Sequence, residues 1–105
     1  MITEYVLFDL PVGISREEVV AAMHAVAPRW QSEANLIRKT FVFDEIANQT
    51  GAFYLWKDRA SAEAAHGQTW RAGIRSMYGS EPQVRYFDTP LVVDNALGTL
   101  VEQES

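Results

Sequence analysis

The sequence predicts an α+β domain of the ferredoxin-like kind, in which two helices cover one face of a four-stranded antiparallel sheet. Three observations predict it. Strand-like and helix-like segments follow one another as β-α-β-β-α-β. The two central strand-like runs lie close enough in sequence to form a long hairpin. Each helical segment opens on a residue suited to capping. With 105 residues, the chain reads as a single domain over 1–105. Such a chain buries only about two-thirds of the surface it exposes when unfolded.

Residues 4–10, rich in Tyr, Val, Leu and Phe, form the first strand, closed by Pro11 and Gly13. Ser15 opens the first helix, and Glu18 three residues on completes a capping box that satisfies orphan backbone donors. Val19, Val20, Met23, Ala27 and Trp30 recur at helical spacing as one apolar stripe, and Pro28 is expected to bend or end the helix. Residues 36–43, which carry Arg38 and Lys39, make the second strand. A polar loop of about seven residues follows, with Gly51 as its turn residue, and residues 52–56 return as the third strand. Asp58 caps a second, alanine-rich helix through His66. Gly67 and Gly73 are expected to kink or break it, since each costs about 1 kcal/mol against alanine inside a helix. Gly79 and Pro82 end it, residues 84–88 form the last strand, and an apolar tail begins at about residue 90.

A sheet covered by helices on one face should be polar on the other. Here both faces read as apolar. Ile37, Phe41 and Phe43 oppose Leu36 and Val42; Phe53 and Leu55 oppose Ala52, Tyr54 and Trp56; Val84 and Tyr86 oppose Phe87. So much wet aromatic surface is unusual for a monomer, and a homodimer joined sheet to sheet, with the tail packed across the junction, is the expected solution.

Composition excludes several classes. The charged share is 22% and the net charge −5, which argues against a nucleic-acid partner, since phosphate binding needs clustered Lys and Arg. Without cysteine there is no disulfide framework, thiolate metal site or thiol nucleophile. No apolar run reaches the roughly 18 residues of a membrane span, and the acidic start is unlike a signal peptide, so a cytoplasmic protein is expected. Two histidines without His-x-His or His-x-x-x-His spacing offer no metal site. Phosphate-loop, dinucleotide and nucleophile-elbow motifs are missing.

Between residues 36 and 88 the chain resembles the YdhR-type monooxygenases of the dimeric α+β barrel superfamily. The residues that carry the resemblance are Lys39, Gly51, Tyr54-Leu55, Asp58 with Ser61-Ala62, Phe87-Asp88 and Pro90-Leu91. About half the chain is covered, the remainder agreeing mainly in element order. The resemblance departs around residues 67–70, where the second helix carries an extra residue. It implies a dimeric barrel and a cofactor-independent monooxygenase oxidising a small aromatic or polycyclic phenolic substrate with dioxygen, with neither cofactor nor metal. The alternative from a different class is a non-enzymatic, small-molecule-binding or stress-related dimer on the same barrel.

Cofactor-free oxidation requires the substrate to lose a proton and then reduce dioxygen, so the protein must supply a dry aromatic cavity, a proton acceptor and an anion stabiliser. His24 and His66 are the candidate acceptors. His24, one residue after Met23, is either a base facing the cavity or a helix-edge histidine half in solvent. His66 shares a helical face with Ala62 and Trp70 if the helix survives Gly67; otherwise it is a cation at a helix C-terminus. Lys39 and Arg38 point to opposite faces, so one meets a covered face, either paired structurally or stabilising a bound anion. Lys39 is preferred as the anion stabiliser because it also matches the family. Trp30, Tyr54 and Trp70 are the candidate lining, with a plain core role as the competing reading.

Overall fold

Inward alternation of Ile2, Glu4, Val6 and Phe8 makes β1 (Ile2–Asp9) an inner strand, paired on both edges. It lies antiparallel to β3 (Gln49–Trp56) on one side and to β4 (Gln83–Asp88) on the other, while β2 (Leu36–Asp44) pairs outside β3. The computed structural model describes residues 1–102 and is an α+β arrangement, with a four-stranded antiparallel sheet of order β2-β3-β1-β4. The helices are α1 (Arg16–Gln31), α2 (Arg59–Ala65) and α3 (Gln68–Tyr78). Trp30 of α1 and Ala62 of α2 pack with Val6, Phe8, Ala52, Tyr54 and Trp56, and Trp70 and Ile74 of α3 rest against the same cluster. The core therefore lies on one face of the sheet.

The capping box forms, Ser15 Oγ accepting from the Glu18 amide at 3.2 Å. Pro28 does not end α1, which runs on to Gln31. A proline so near the C-terminus removes only the bond to the carbonyl four residues back, and both Pro28 and His24 are exposed, so water can serve that carbonyl. The second helical region is broken rather than continuous. Asp58 caps α2 through the Ser61 amide at 2.8 Å, His66 leaves the helical conformation, and α3 restarts after Gly67.

Two expectations for the central hairpin need correction. Its loop is only residues 45–48, so Gly51 lies inside β3 rather than in the turn. A Cβ on Gly51 would sit 1.8 Å from the Val6 carbonyl oxygen, and only glycine permits β3 to approach β1 so closely. The turn is closed instead by Asn48, at φ 54°, whose side-chain amide donates to the Leu10 and Pro11 carbonyls. The second correction concerns β2. A register shift between Leu36 and Arg38 turns Leu36 onto the core face with Phe41, whereas strict alternation puts them on opposite faces.

The opposite face of the sheet is apolar and only partly covered: Leu55 is buried there, whereas Ile37, Phe53 and Phe87 are each more than 40% exposed. The tail after residue 90 is a separate hairpin of β5 (Leu91–Asp94) and β6 (Thr99–Glu102). Asp94 caps its turn through the Ala96 and Leu97 amides and accepts a 2.8 Å ion pair from Arg38, tying the hairpin to the open face. Leu91, Val93, Leu97 and Leu100 of this hairpin are exposed. Among the described residues no helix is long and apolar enough to cross a membrane.

Candidate functional site: an aromatic cavity over a buried glutamate and histidine

Register brings one polar row across the covered face. Lys39 of β2 pairs with Tyr54 of β3, which pairs with Glu4 of β1, which pairs with Tyr86 of β4. On one side the next inward row is apolar, formed by Phe41, Ala52, Val6 and Val84. The two ends of the polar row have different surroundings.

At its centre Glu4 is fully buried, and a buried carboxylate is tolerable only when paired. Trp56 Nε1 donates to Glu4 Oε1 at 2.9 Å, and His66 Nδ1 lies 2.8 Å from the same oxygen. The imidazole approach has ion-pair distance but is poorly aligned as a hydrogen bond, so the directed bond is the one from Trp56. Tyr86 leans toward this carboxylate without a well-formed bond. Its pKa is raised, first by burial and then by the Glu4 charge.

His66 is placed here by the break between α2 and α3. It is the C-terminal cap of α2, and the chain reversal at Gly67 drops its ring onto the sheet. Trp30 stacks on it at 5.4 Å, while Tyr54 and Trp70 meet it edge-on at 4.6 and 4.4 Å. These three rings seal the imidazole from solvent and from the space beyond them.

That space is a cavity of about 500 Å³, floored by the sheet and walled by α1 and α3. Val6, Ala52 and Tyr54 contribute from the floor, and Phe41 and Lys39 from β2. Trp30, Met23 and Val26 line it from α1, and Trp70, Ile74 and Met77 from α3. Val26 and Met77 are also solvent-exposed, so the mouth lies between the two helices. Such walls suit a flat apolar ligand.

Lys39 carries the one ammonium on the cavity wall. Its Nζ stands 4.0 Å from the Trp30 ring centre, 4.1 Å from Phe41 and 4.7 Å from Tyr54. Burial, and secondly the nearby Arg29 guanidinium, lower its pKa from 10.5 to about 7, against a smaller opposing pull from Glu4. The Arg29 guanidinium carbon lies 4.0 Å from the Trp30 ring centre, and Arg29 pairs with Glu33 at 2.9 Å. Tyr54 keeps its hydroxyl proton, because burial and then the Glu4 charge push its pKa upward.

The six sequence candidates thus divide. Lys39, Trp30, Tyr54 and Trp70 meet around the cavity. His66 touches the last three rings from behind but does not line the cavity. His24 lies apart, in an exposed groove on the outer side of α1 with Arg16, Glu17 and Val20. It follows Met23 by one position, a rotation of about 100° that carries it off the inward stripe. Glu4 and Arg29 are the additional charged residues of the site. Glu4 was legible as an acidic residue in phase with Ile2, Val6 and Phe8, whereas nothing in the spacing distinguishes Arg29. Among the described residues no group of three or more His, Cys, Asp or Glu is arranged to hold a metal ion. No protein-family model matches the chain, and no curated protein matches its sequence.

Proposed function

We propose that the protein is a cofactor-independent monooxygenase of the YdhR kind, oxidising a small aromatic or polycyclic phenolic compound with dioxygen in the cytoplasm. The observation that carries this reading is a lysine with a pKa near neutrality on the wall of an aromatic cavity of about 500 Å³. At pH 7 the Lys39 amine is available to accept a proton from a phenol, hydroquinone or anthrone, and the resulting ammonium then faces the anion it has created. The anion is the reductant. With a phenol or an anthrone one oxygen atom of O₂ becomes the new carbonyl oxygen and with a hydroquinone a ring hydroxyl of the hydroxyquinone, the other atom leaves as water, and the electrons come from the substrate ring. Trp30, Tyr54 and Trp70 would hold the ring, while His66 and Glu4 position those three side chains. His24, distant from the cavity, has no part in this scheme.

The strand order β2-β3-β1-β4, with all helices on one face, supports a ferredoxin-like protomer. Exposed Phe53, Phe87 and Ile37, and the four apolar side chains of the β5–β6 hairpin, support a homodimer closed sheet to sheet into an α+β barrel. Light scattering is expected to report twice the 11.8 kDa chain mass.

The test of function is conversion of anthrones to anthraquinones and of hydroquinones to hydroxyquinones under oxygen, followed by absorbance and, under ¹⁸O₂, by the mass of the product. Wild type and His24→Ala should accelerate it, and Lys39→Met should not. No acceleration over buffer overturns the enzyme reading. Should the same compounds raise the melting temperature without turnover, the protein is a binding module for apolar aromatics.

A further inference from the structure

We propose that Lys39 is a carbonyl-capture site, its amine condensing with apolar aromatic aldehydes or ketones that enter the cavity between α1, α3 and the sheet. The inference uses the same cavity as the oxidation above but requires neither dioxygen nor turnover, so either can fail alone.

Geometry makes the case. An ordinary lysine is a poor nucleophile because solvent or a carboxylate holds it as ammonium. Among the described residues, ion pairs engage Arg29, Arg38, Arg59, Arg75 and His66, and none engages Lys39. Its Nζ meets three aromatic rings within 4.7 Å and opens onto the cavity. The charged groups facing it are Arg29 from α1 and Glu4 from β1; Tyr54 of β3 is neutral, and α3 presents Trp70, Ile74, Met77 and Tyr78. An amine desolvated in an apolar pocket beside a second cation is the arrangement that activates lysine toward carbonyls. With a pKa of about 7, about half of Lys39 is neutral at pH 7, against roughly one in three thousand for an unperturbed lysine. Apolar walls restrict the carbonyl compound to an apolar, preferably flat one.

The step balances simply. The Nζ lone pair attacks the carbonyl carbon and the carbonyl π pair moves to oxygen, which takes a proton. Loss of water from the carbinolamine leaves a C=N bond. No oxidant or reductant is consumed, and added cyanoborohydride supplies the hydride that makes the adduct permanent.

The sequence contains its own control, because Lys57 is the only other lysine and is exposed. Native protein is incubated at pH 7 with 2-naphthaldehyde and sodium cyanoborohydride, then digested and mapped by mass, which also separates any label on the terminal amine. Lys39 should be modified at least about tenfold faster than Lys57, and the preference should disappear in urea and with anionic glyoxylate in place of naphthaldehyde. Equal rates at the two lysines in the native protein, or a preference that survives in urea, overturns the proposal. Labelling of Lys39 without quinone formation leaves carbonyl capture standing while the oxygenase reading falls; quinone formation without labelling does the reverse.

Discussion

Replacing Lys39 with methionine tests the electrostatics of the cavity directly, since it exchanges an ammonium-tipped chain for an apolar one of similar length. The drop in the Lys39 pKa from 10.5 to about 7 corresponds to about 5 kcal/mol of preference lost by the charged form. Between pH 7 and 10.5 the unfolded chain holds a proton at this side chain that the folded chain has released, so wild-type stability rises with pH across that window. Below pH 7 the penalty is felt in full. Lys39→Met should therefore stabilise the fold at pH 6 by up to about 5 kcal/mol, with the gain shrinking toward zero near pH 10. Urea denaturation of both proteins at pH 6, 8 and 10 measures it. A methionine variant no more stable than wild type at pH 6, or a gain independent of pH, refutes the account.

Two further outcomes follow from the core. Gly51→Ala forces a methyl group to within 1.8 Å of the Val6 carbonyl oxygen, so β3 must leave β1; a loss of about 3 kcal/mol or more is expected in urea denaturation, or no folded protein at all. Glu4→Ala strands Trp56 Nε1 and His66 without their acceptor, and a loss of about 3–5 kcal/mol should appear in the same assay. The double variant Glu4→Leu with His66→Leu should recover part of that loss, because it removes both buried polar partners together.

The elements were legible in the sequence because each is signalled locally. Alternation in β1, β3 and β4, the Ser15–Glu18 box and the Asp58 cap depend on residues within a few positions of one another. What escaped depends on contacts far along the chain. Gly51 reads as a turn residue until Val6, forty-five positions earlier, is seen against its Cα. The Leu36 face is set by a bulge in β2, which a period-two reading averages away. The form of the tail was not predictable from its apolar composition, since Leu91, Val93 and Leu100 stay exposed in the finished hairpin. At the site, Lys39, Trp30, Tyr54 and Trp70 come together around the cavity; alternation left open which of Arg38 and Lys39 meets the covered face, and it was the family resemblance that singled out Lys39. The roles of the two histidines were not legible, because helical spacing gives a direction around the axis but not where a helix breaks, and the break after α2 is what carries His66 onto Glu4.

The layout of charge explains why the proposed oxidation assigns the proton to a lysine rather than to a histidine. Among the described residues one acid is fully buried, Glu4, and it is already engaged by Trp56 and His66 beneath a cover of three rings. A ligand proton entering from the gap between α1 and α3 meets Lys39 without displacing any of those rings, whereas reaching His66 would require Trp30, Tyr54 or Trp70 to swing aside. Those rings are held by the imidazole they enclose, so opening a path to it would dismantle the wall that keeps the cavity dry. Glu4 consequently acts on bound chemistry at a distance. Its charge favours the ammonium form of Lys39 and the neutral form of Tyr54, while Arg29 opposes both effects. The Lys39 amine is thus set by a buried anion and a surface cation acting in opposite directions, neither of which lines the cavity.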